Sequence, residues 1–483
     1  MLFNSFEFIF LFLPVTFAGF FFFGKYAHKS YAALWLVLAS FFFYGYWDYH
    51  YVPLLFASIS FNYFVGKKIE PAKSKKWLIF GIAIDVILLG YFKYTDFFLN
   101  TINDIAGADS FDLPHIILPL GISFFTFTQI AYLVDVFRGN AKNYSFVTYC
   151  EFVTIFPHLI AGPIIDYKEM IPQFIAEKTF QMNDKNIATG LTLFTLGLFK
   201  KVAIADKLAP WVNDIYSHID SLTFVEAWLG ALGYTFQLYF DFSGYSEMAI
   251  GLGLIFNLKL PVNFNSPYQS LSIIDFWRRW HMTLGRWVKY YLYIPLGGNR
   301  QGECKKMRNL LSSMLIIGLW HGAGWTFIFW GGLHGLFLMI NHQWRRLNIT
   351  LPKGLCWCLT FLCVVVCWVF FRAENFHDAF TMLSKMADVT NIAIPYSMSV
   401  LQHMPWITAT GIPLQATQMS IKELAAAALE VAVLLPVVAF CPNPVKWMDD
   451  FQANYKWLAA IIILMLFSLF QFSQISDFLY FQF

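Results

Sequence analysis

The chain has 483 residues, of which 58% are hydrophobic and 13% charged, with a formal net charge of +3. A soluble protein carries about 25% charged residues, so a soluble globular enzyme is excluded. Long apolar runs recur from end to end, and the expected class is an all-α, polytopic membrane protein.

The first run, Phe8 to Phe23, follows no basic segment and reads as a transmembrane helix, not a cleaved signal peptide. Further spans are expected near 31–47, 51–66, 77–98, 117–137, 148–165, 187–205, 223–240, 243–258, 309–342 (compound), 354–371, 422–440 and 457–473. That makes about 11 to 13 spanning or re-entrant helices, each needing about 20 apolar residues. Segment 148–165 contains Pro157, His158, Gly162 and Pro163, so a broken helix is expected there. The basic loops "GKYAHKS" and "GKKIEPAKSKK" read as cytoplasmic, whereas "YWDYHY" and "NTINDIAGADSFD" carry no Lys or Arg and face outward. The N-terminus then faces the exterior.

Charged residues inside apolar runs face a cavity or a partner. "YFDFSGYSEMAIGLG" places Asp241 and Glu247 this way, where either would orient a histidine or pair with an arginine. "LPLGISFFTFTQIAYLVDVFRG" adds Thr128, Tyr132 and Asp135 on a shared helix face, read first as interhelical glue.

Segment 275–308, "DFWRRWHMTLGRWVKYYLYIPLGGNRQGECKKMR", carries eight Lys and Arg against Asp275 and Glu303. It reads as a cytoplasmic interfacial segment. Arg278 and Arg279 suit a phosphate-bearing donor, although anchoring to anionic headgroups explains them equally. His281 follows them directly.

Residues 309–342 give 34 positions without Asp, Glu, Lys or Arg. A straight helix of that length extends about 51 Å, against a hydrocarbon core of about 30 Å. Both flanks are basic, with Lys305, Lys306 and Arg308 before and Arg345 and Arg346 after. If both flanks are cytoplasmic, the run enters, turns and returns. Gly322-Ala323-Gly324 is the natural break. His321 then lies at the deepest point, and a tilted single helix would also hold it near mid-depth. An imidazole there serves as a general base or ties two helices together through a backbone carbonyl. His334 and His342 are about 12 Å apart along a helix, and no Cys/His pair has ligand spacing. Of the seven cysteines, Cys363 and Cys367 share a helix face but read as small buried hydrophobes. No metal is expected.

Together these motifs resemble the membrane-bound O-acyltransferases, in the bacterial branch that includes the alginate O-acetylation membrane protein. The matching stretches are "LPLGISFFTFTQIAYLVDVFRG", "FPHLIAGPI", "QLYFDFSGYSEMAIGLG", "DFWRRWHMTLGRWVKYYLYIPLGGNR", "GLWHGAGWTFIFWGGLHG", "FFRAENF" and the terminal "DFLYFQF". The resemblance covers nearly the whole chain. It implies helices around a central tunnel, with His321 as principal catalytic residue and His281 as the second active-site position. His321 would act as general base or carry the acyl group. Arg278, Arg279, Trp320, Trp325 and Asp241 are donor or tunnel candidates, and His334 falls to packing or a supporting contact.

The implied activity is O-acetylation of an exported polysaccharide such as alginate, with acetyl-CoA as donor substrate and no bound cofactor. A serine esterase-like periplasmic protein is the implied partner; nucleic acid is not. Cellulose, peptidoglycan and teichoic acid carrying D-alanine are alternative acceptors, and a secondary transporter or flippase is the alternative class. The expected location is a bacterial inner membrane. A single membrane domain over 1–483 is expected, with N-terminal helices to 117, a catalytic core at 118–345 and C-terminal helices at 346–483. An outward-facing loop is expected at about 387–421.

Overall fold

The computed structural model describes the chain except for residues 72, 109, 143, 144, 392–418, 450, 473–478 and 480–483. Most of the expected outward loop and nearly all of "DFLYFQF" therefore lie outside the described residues. Every regular element among those described is helical.

The N-terminal helices are α1 (Leu13–Tyr26), α2 (Lys29–Gly45), α3 (Val52–Ile69) and α4 (Lys75–Ala106). Next come α5 (Ile122–Arg138), α6 (Phe146–Thr154), α7 (Phe156–Leu159) and α8 (Tyr167–Ile175). Helix α9 (Asp184–Phe199) runs through a π-helical stretch, Lys200–Ala205, into α10 (Asp206–Ser217), and α11 spans Phe224–Ile255. Two short helices, α12 (Ile273–Trp277) and α13 (Met282–Val288), precede α14 (Glu303–His321), α15 (Trp325–Arg346), α16 (Lys353–Arg372) and α17 (Phe376–Ala387). Helices Ile421–Phe440 and Tyr455–Phe470 complete the described chain. Among the described residues, five helical stretches are long and apolar enough to cross a membrane: 8–26, 75–106, 184–217, 353–372 and 421–440. The protein is a multi-pass, all-α membrane protein.

Helix α11 forms the centre and is buried along almost its whole length. A capping box starts it: the Thr223 hydroxyl accepts from the Glu226 N–H, and Glu226 Oε2 accepts from the Thr223 N–H at 3.1 Å. Its contact with α9 rests on two facing glycine pairs. A Cβ added at Gly197 would meet the Gly244 carbonyl at 2.4 Å, and one at Gly190 would meet that of Gly251 at 2.5 Å. The pairs run antiparallel and bring the two backbones into direct contact, as small residues do between membrane helices.

The two spans expected at 223–240 and 243–258 are thus one helix. The polar cluster at the expected join is neutralised from the side. Lys201 Nζ lies 2.7 Å from Asp241 and 2.6 Å from Asp206, and Lys200 Nζ lies 2.5 Å from Glu247. The partners of Asp241 and Glu247 are therefore lysines of α9's π-helical extension, not an arginine or a histidine.

Segment 148–165 is broken as its prolines imply. Helices α6 and α7 are separated at Ile155, and the chain is irregular from Ile160 to Asp166. This stretch is buried in protein, where non-helical backbone is tolerated at membrane depth. His158 Nδ1 donates to the Pro163 carbonyl at 2.8 Å, and Thr128 Oγ1 lies 3.3 Å from His158 Nε2. Thr128 thus joins α5 to the broken segment.

Candidate active site

The apolar run at 309–342 folds as a helical hairpin. Helix α14 ends at His321, Gly322 and Gly324 are extended, and α15 starts at Trp325. The pairing is antiparallel: a Cβ at Gly318 would meet the Phe327 carbonyl, and one at Gly331 would meet that of Met314, both at 2.3 Å. At the open end Arg346 Nη2 reaches Glu303 Oε1 at 3.4 Å, so both basic flanks lie together. The run enters, turns and returns. The helices also extend into the basic flanks, and the 19 residues of α14 rise about 28 Å, close to the hydrocarbon thickness. For an upright hairpin, His321 sits nearer the far face than mid-depth.

His321 is 4% exposed. Its ring lies between Trp320 (centroids 5.0 Å apart), Trp330 (5.0 Å, perpendicular) and Phe371 (5.4 Å). The His281 ring centroid is 6.5 Å away. The fold thus brings together two histidines 40 positions apart in sequence.

His281 is fully buried and holds left-handed backbone angles, φ 43° and ψ 54°, immediately before α13. A non-glycine residue held there costs about 1–3 kcal/mol and persists only when its surroundings fix it. Asn263 supplies one fixing contact. Its Oδ1 accepts from the Thr283 N–H at 3.3 Å, from Thr283 Oγ1 at 2.9 Å and from His281 Nδ1 at 3.0 Å. An oxygen acceptor at Nδ1 puts the proton on that nitrogen and leaves the lone pair on Nε2.

Two cavities approach this pair from different sides. The larger, about 740 Å³, is lined by Trp277, Arg278, Thr283, Lys289, Tyr293, Ile317 and His342 among others. It opens within the basic segment read as cytoplasmic. The second, about 330 Å³, is lined by Leu2, Trp47, Lys93, Leu118 to Phe124 and Trp320. Trp47 brings one of the loops without Lys or Arg to its wall. Thr283 lines the first cavity and shares Asn263 with His281, whereas Trp320 lines the second and touches His321. Neither histidine lines either cavity itself; the pair is buried behind Thr283 of the first wall and Trp320 of the second. Trp320 is held by a stack in which Phe127 lies 5.0 Å from it and 3.8 Å from Trp287.

The remaining sequence candidates separate. Arg278 lines the larger cavity and forms no ion pair among the described residues. Arg279 instead pairs with Asp275 on the preceding helical turn at 3.0 Å. Trp325 is 51% exposed and packs against Phe97, away from His321. Asp241 belongs to the lysine network, and its Oδ2 accepts from the Leu479 N–H at 3.1 Å, tying the C-terminal segment to α11. His334 is buried behind Trp330 and accepts from Trp277 Nε1 at 3.2 Å. It supports the wall of the site.

Asn263 and Lys93 escaped the sequence reading. Asn263 lies in an irregular stretch with no periodic signal. Lys93 had one: it is a lone lysine well inside the long apolar helix α4, and such residues are functional candidates by default.

Residues 122–350 match the model of the membrane-bound O-acyltransferase family. The chain is 44% identical to the peptidoglycan O-acetyltransferase of Helicobacter pylori (strain ATCC 700392 / 26695), over 100% of its own length and 98% of that protein. It is 45% identical to the probable alginate O-acetylase AlgI of Pseudomonas aeruginosa, over 80% of this chain and 75% of that one. Similarity to the teichoic acid D-alanyltransferase of Bacillus subtilis (strain 168) is 26% over 55% of this chain and 71% of that protein.

Proposed function

Because the chain belongs to the membrane-bound O-acyltransferase family and acts as an O-acyltransferase, we propose that it moves an acetyl group from cytoplasmic acetyl-CoA for O-acetylation of an exported cell-envelope polysaccharide. The observation that carries this reading is the buried His321–His281 pair, linked to the basic-lined cavity through Thr283 and Asn263 and to the second cavity through Trp320. Arg278 binds the donor's phosphates at the mouth of the first cavity. The thioester reaches the histidine pair, and the acetyl group leaves through the second cavity. His321 takes the proton from the attacking hydroxyl as its oxygen bonds to the acetyl carbon. The carbon–sulfur bond breaks, and the thiolate leaves with a proton returned from the imidazolium. His281, fixed with its lone pair on Nε2, supports the donor or His321.

Match over the full chain favours peptidoglycan as the acceptor, ahead of alginate, whose acetylase matches over 80%. A serine esterase-like periplasmic protein receives the acetyl group in this scheme, and the chain resides in the bacterial inner membrane. The test is His321→Ala, with membrane abundance verified and envelope O-acetyl content measured. Loss of acetylation is expected. Unchanged acetylation at normal abundance overturns the assignment.

A further inference from the structure

The last four carbonyls of a helix have no partner within it, and each costs several kcal/mol if left bare in a membrane. Helix α14 ends at His321, so its four are those of Gly318, Leu319, Trp320 and His321. The Gly318 carbonyl accepts from the Gly322 N–H at 3.4 Å. The other three are met by two adjacent side chains of α4. Tyr94 Oη donates to the Leu319 carbonyl at 2.9 Å. Lys93 Nζ donates to the Trp320 carbonyl at 2.5 Å and to the His321 carbonyl at 3.1 Å. The Lys93 ammonium also stands 5.9 Å from the Trp320 ring.

We propose that Lys93 is a positioning residue for acetyl transfer: its ammonium clamps the backbone of Trp320 and His321 and so sets the His321 imidazole against His281. The proposal rests on His321 being the reactive group. Three observations support a role beyond helix capping. The contact falls on the carbonyl of His321 itself. A positive charge complements the negative end of the α14 dipole at the point where the chain must leave the helix. Lys93 also lines the second cavity together with Trp320, beside the path that the proposed function gives to the acetyl group. Water alone would satisfy these carbonyls near a surface, but it would not fix the direction in which the imidazole points.

The experiment uses the full chain in membrane vesicles with radiolabelled acetyl-CoA and compares Lys93→Met, Lys93→Arg and Tyr94→Phe. Lys93→Met is expected to lower kcat about ten- to hundredfold while KM for acetyl-CoA stays within twofold. Lys93→Arg restores most of the rate, because a guanidinium donates to both carbonyls. Amide exchange at residues 322–324 rises in Lys93→Met, a readout that needs no turnover. The proposal is overturned if kcat in Lys93→Met stays within twofold of wild type. It is equally overturned if that variant leaves exchange unchanged, or if Tyr94→Phe matches its losses of rate and thermal stability, which marks general capping. A His321→Ala control that retains wild-type transfer removes the underlying functional reading instead, and exchange then still reports whether Lys93 holds the helix end.

Discussion

Arg278 and Arg279 look interchangeable in "FWRRWH", but their surroundings separate them. Arg279 is held by Asp275, whereas Arg278 faces the cavity without an ion-pair partner among the described residues. A guanidinium already engaged by a carboxylate has little to offer a phosphate. Arg278→Ala is therefore expected to raise KM for acetyl-CoA about tenfold, and Arg279→Ala to leave it within twofold, by initial-rate kinetics over a donor titration. The same divergence explains Trp325. Trp320 and Trp325 flank the glycine break almost symmetrically in "LWHGAGW", but the chain reverses between them. One ring stays beside His321 and the other turns outward. Proximity in sequence does not survive a hairpin turn, which is why the structure sets one tryptophan beside His321 and the other apart from it.

Between helices, packing depends on backbone contact at glycine. Substituting Gly197 puts a side chain into the Gly244 carbonyl, and neither backbone can retreat without unseating the lysine network beside it. Gly197→Val is expected to cost at least the 1–3 kcal/mol typical of overpacking, visible as lower membrane abundance and an earlier thermal transition. Much of the architecture was legible because its signals are local. The length of the 309–342 run, its basic flanks and its glycines specified the hairpin, and Pro157 and Pro163 specified the broken segment. The join at 240–243 was not legible, because the charges that neutralise Asp241 and Glu247 lie about 40 positions earlier on another helix. The histidine pair was named from motifs; Asn263 acts through contacts distant in sequence and leaves no pattern, whereas Lys93 showed as a lone lysine in an apolar run but its partners on α14 did not.

For the assembled protein, sidedness ties the parts together. The hairpin returns to the face from which it started, so Cys304, exposed beside Glu303, shares that face with the larger cavity and with Arg345 and Arg346. In a variant whose sole cysteine is Cys304, a membrane-impermeant maleimide is expected to label inverted vesicles and spare intact spheroplasts. The opposite pattern reverses the path assigned to the acetyl group.

The lysine network of α9 and α11 bears on how the chain is made. Lys200 and Lys201 emerge from the ribosome before Asp241 and Glu247 have been synthesised. A lysine at the centre of a membrane helix opposes insertion by about 2.5–3.5 kcal/mol, so the α9 stretch enters lipid reluctantly by itself. Asp206 accompanies Lys201 within the stretch, but Glu247 for Lys200 and the second carboxylate, Asp241, arrive only with α11, and the glycine pairs seat the two helices at the same stroke. The two segments are then best released into the bilayer as a partnered unit, with the insertion machinery sheltering the first until the second appears.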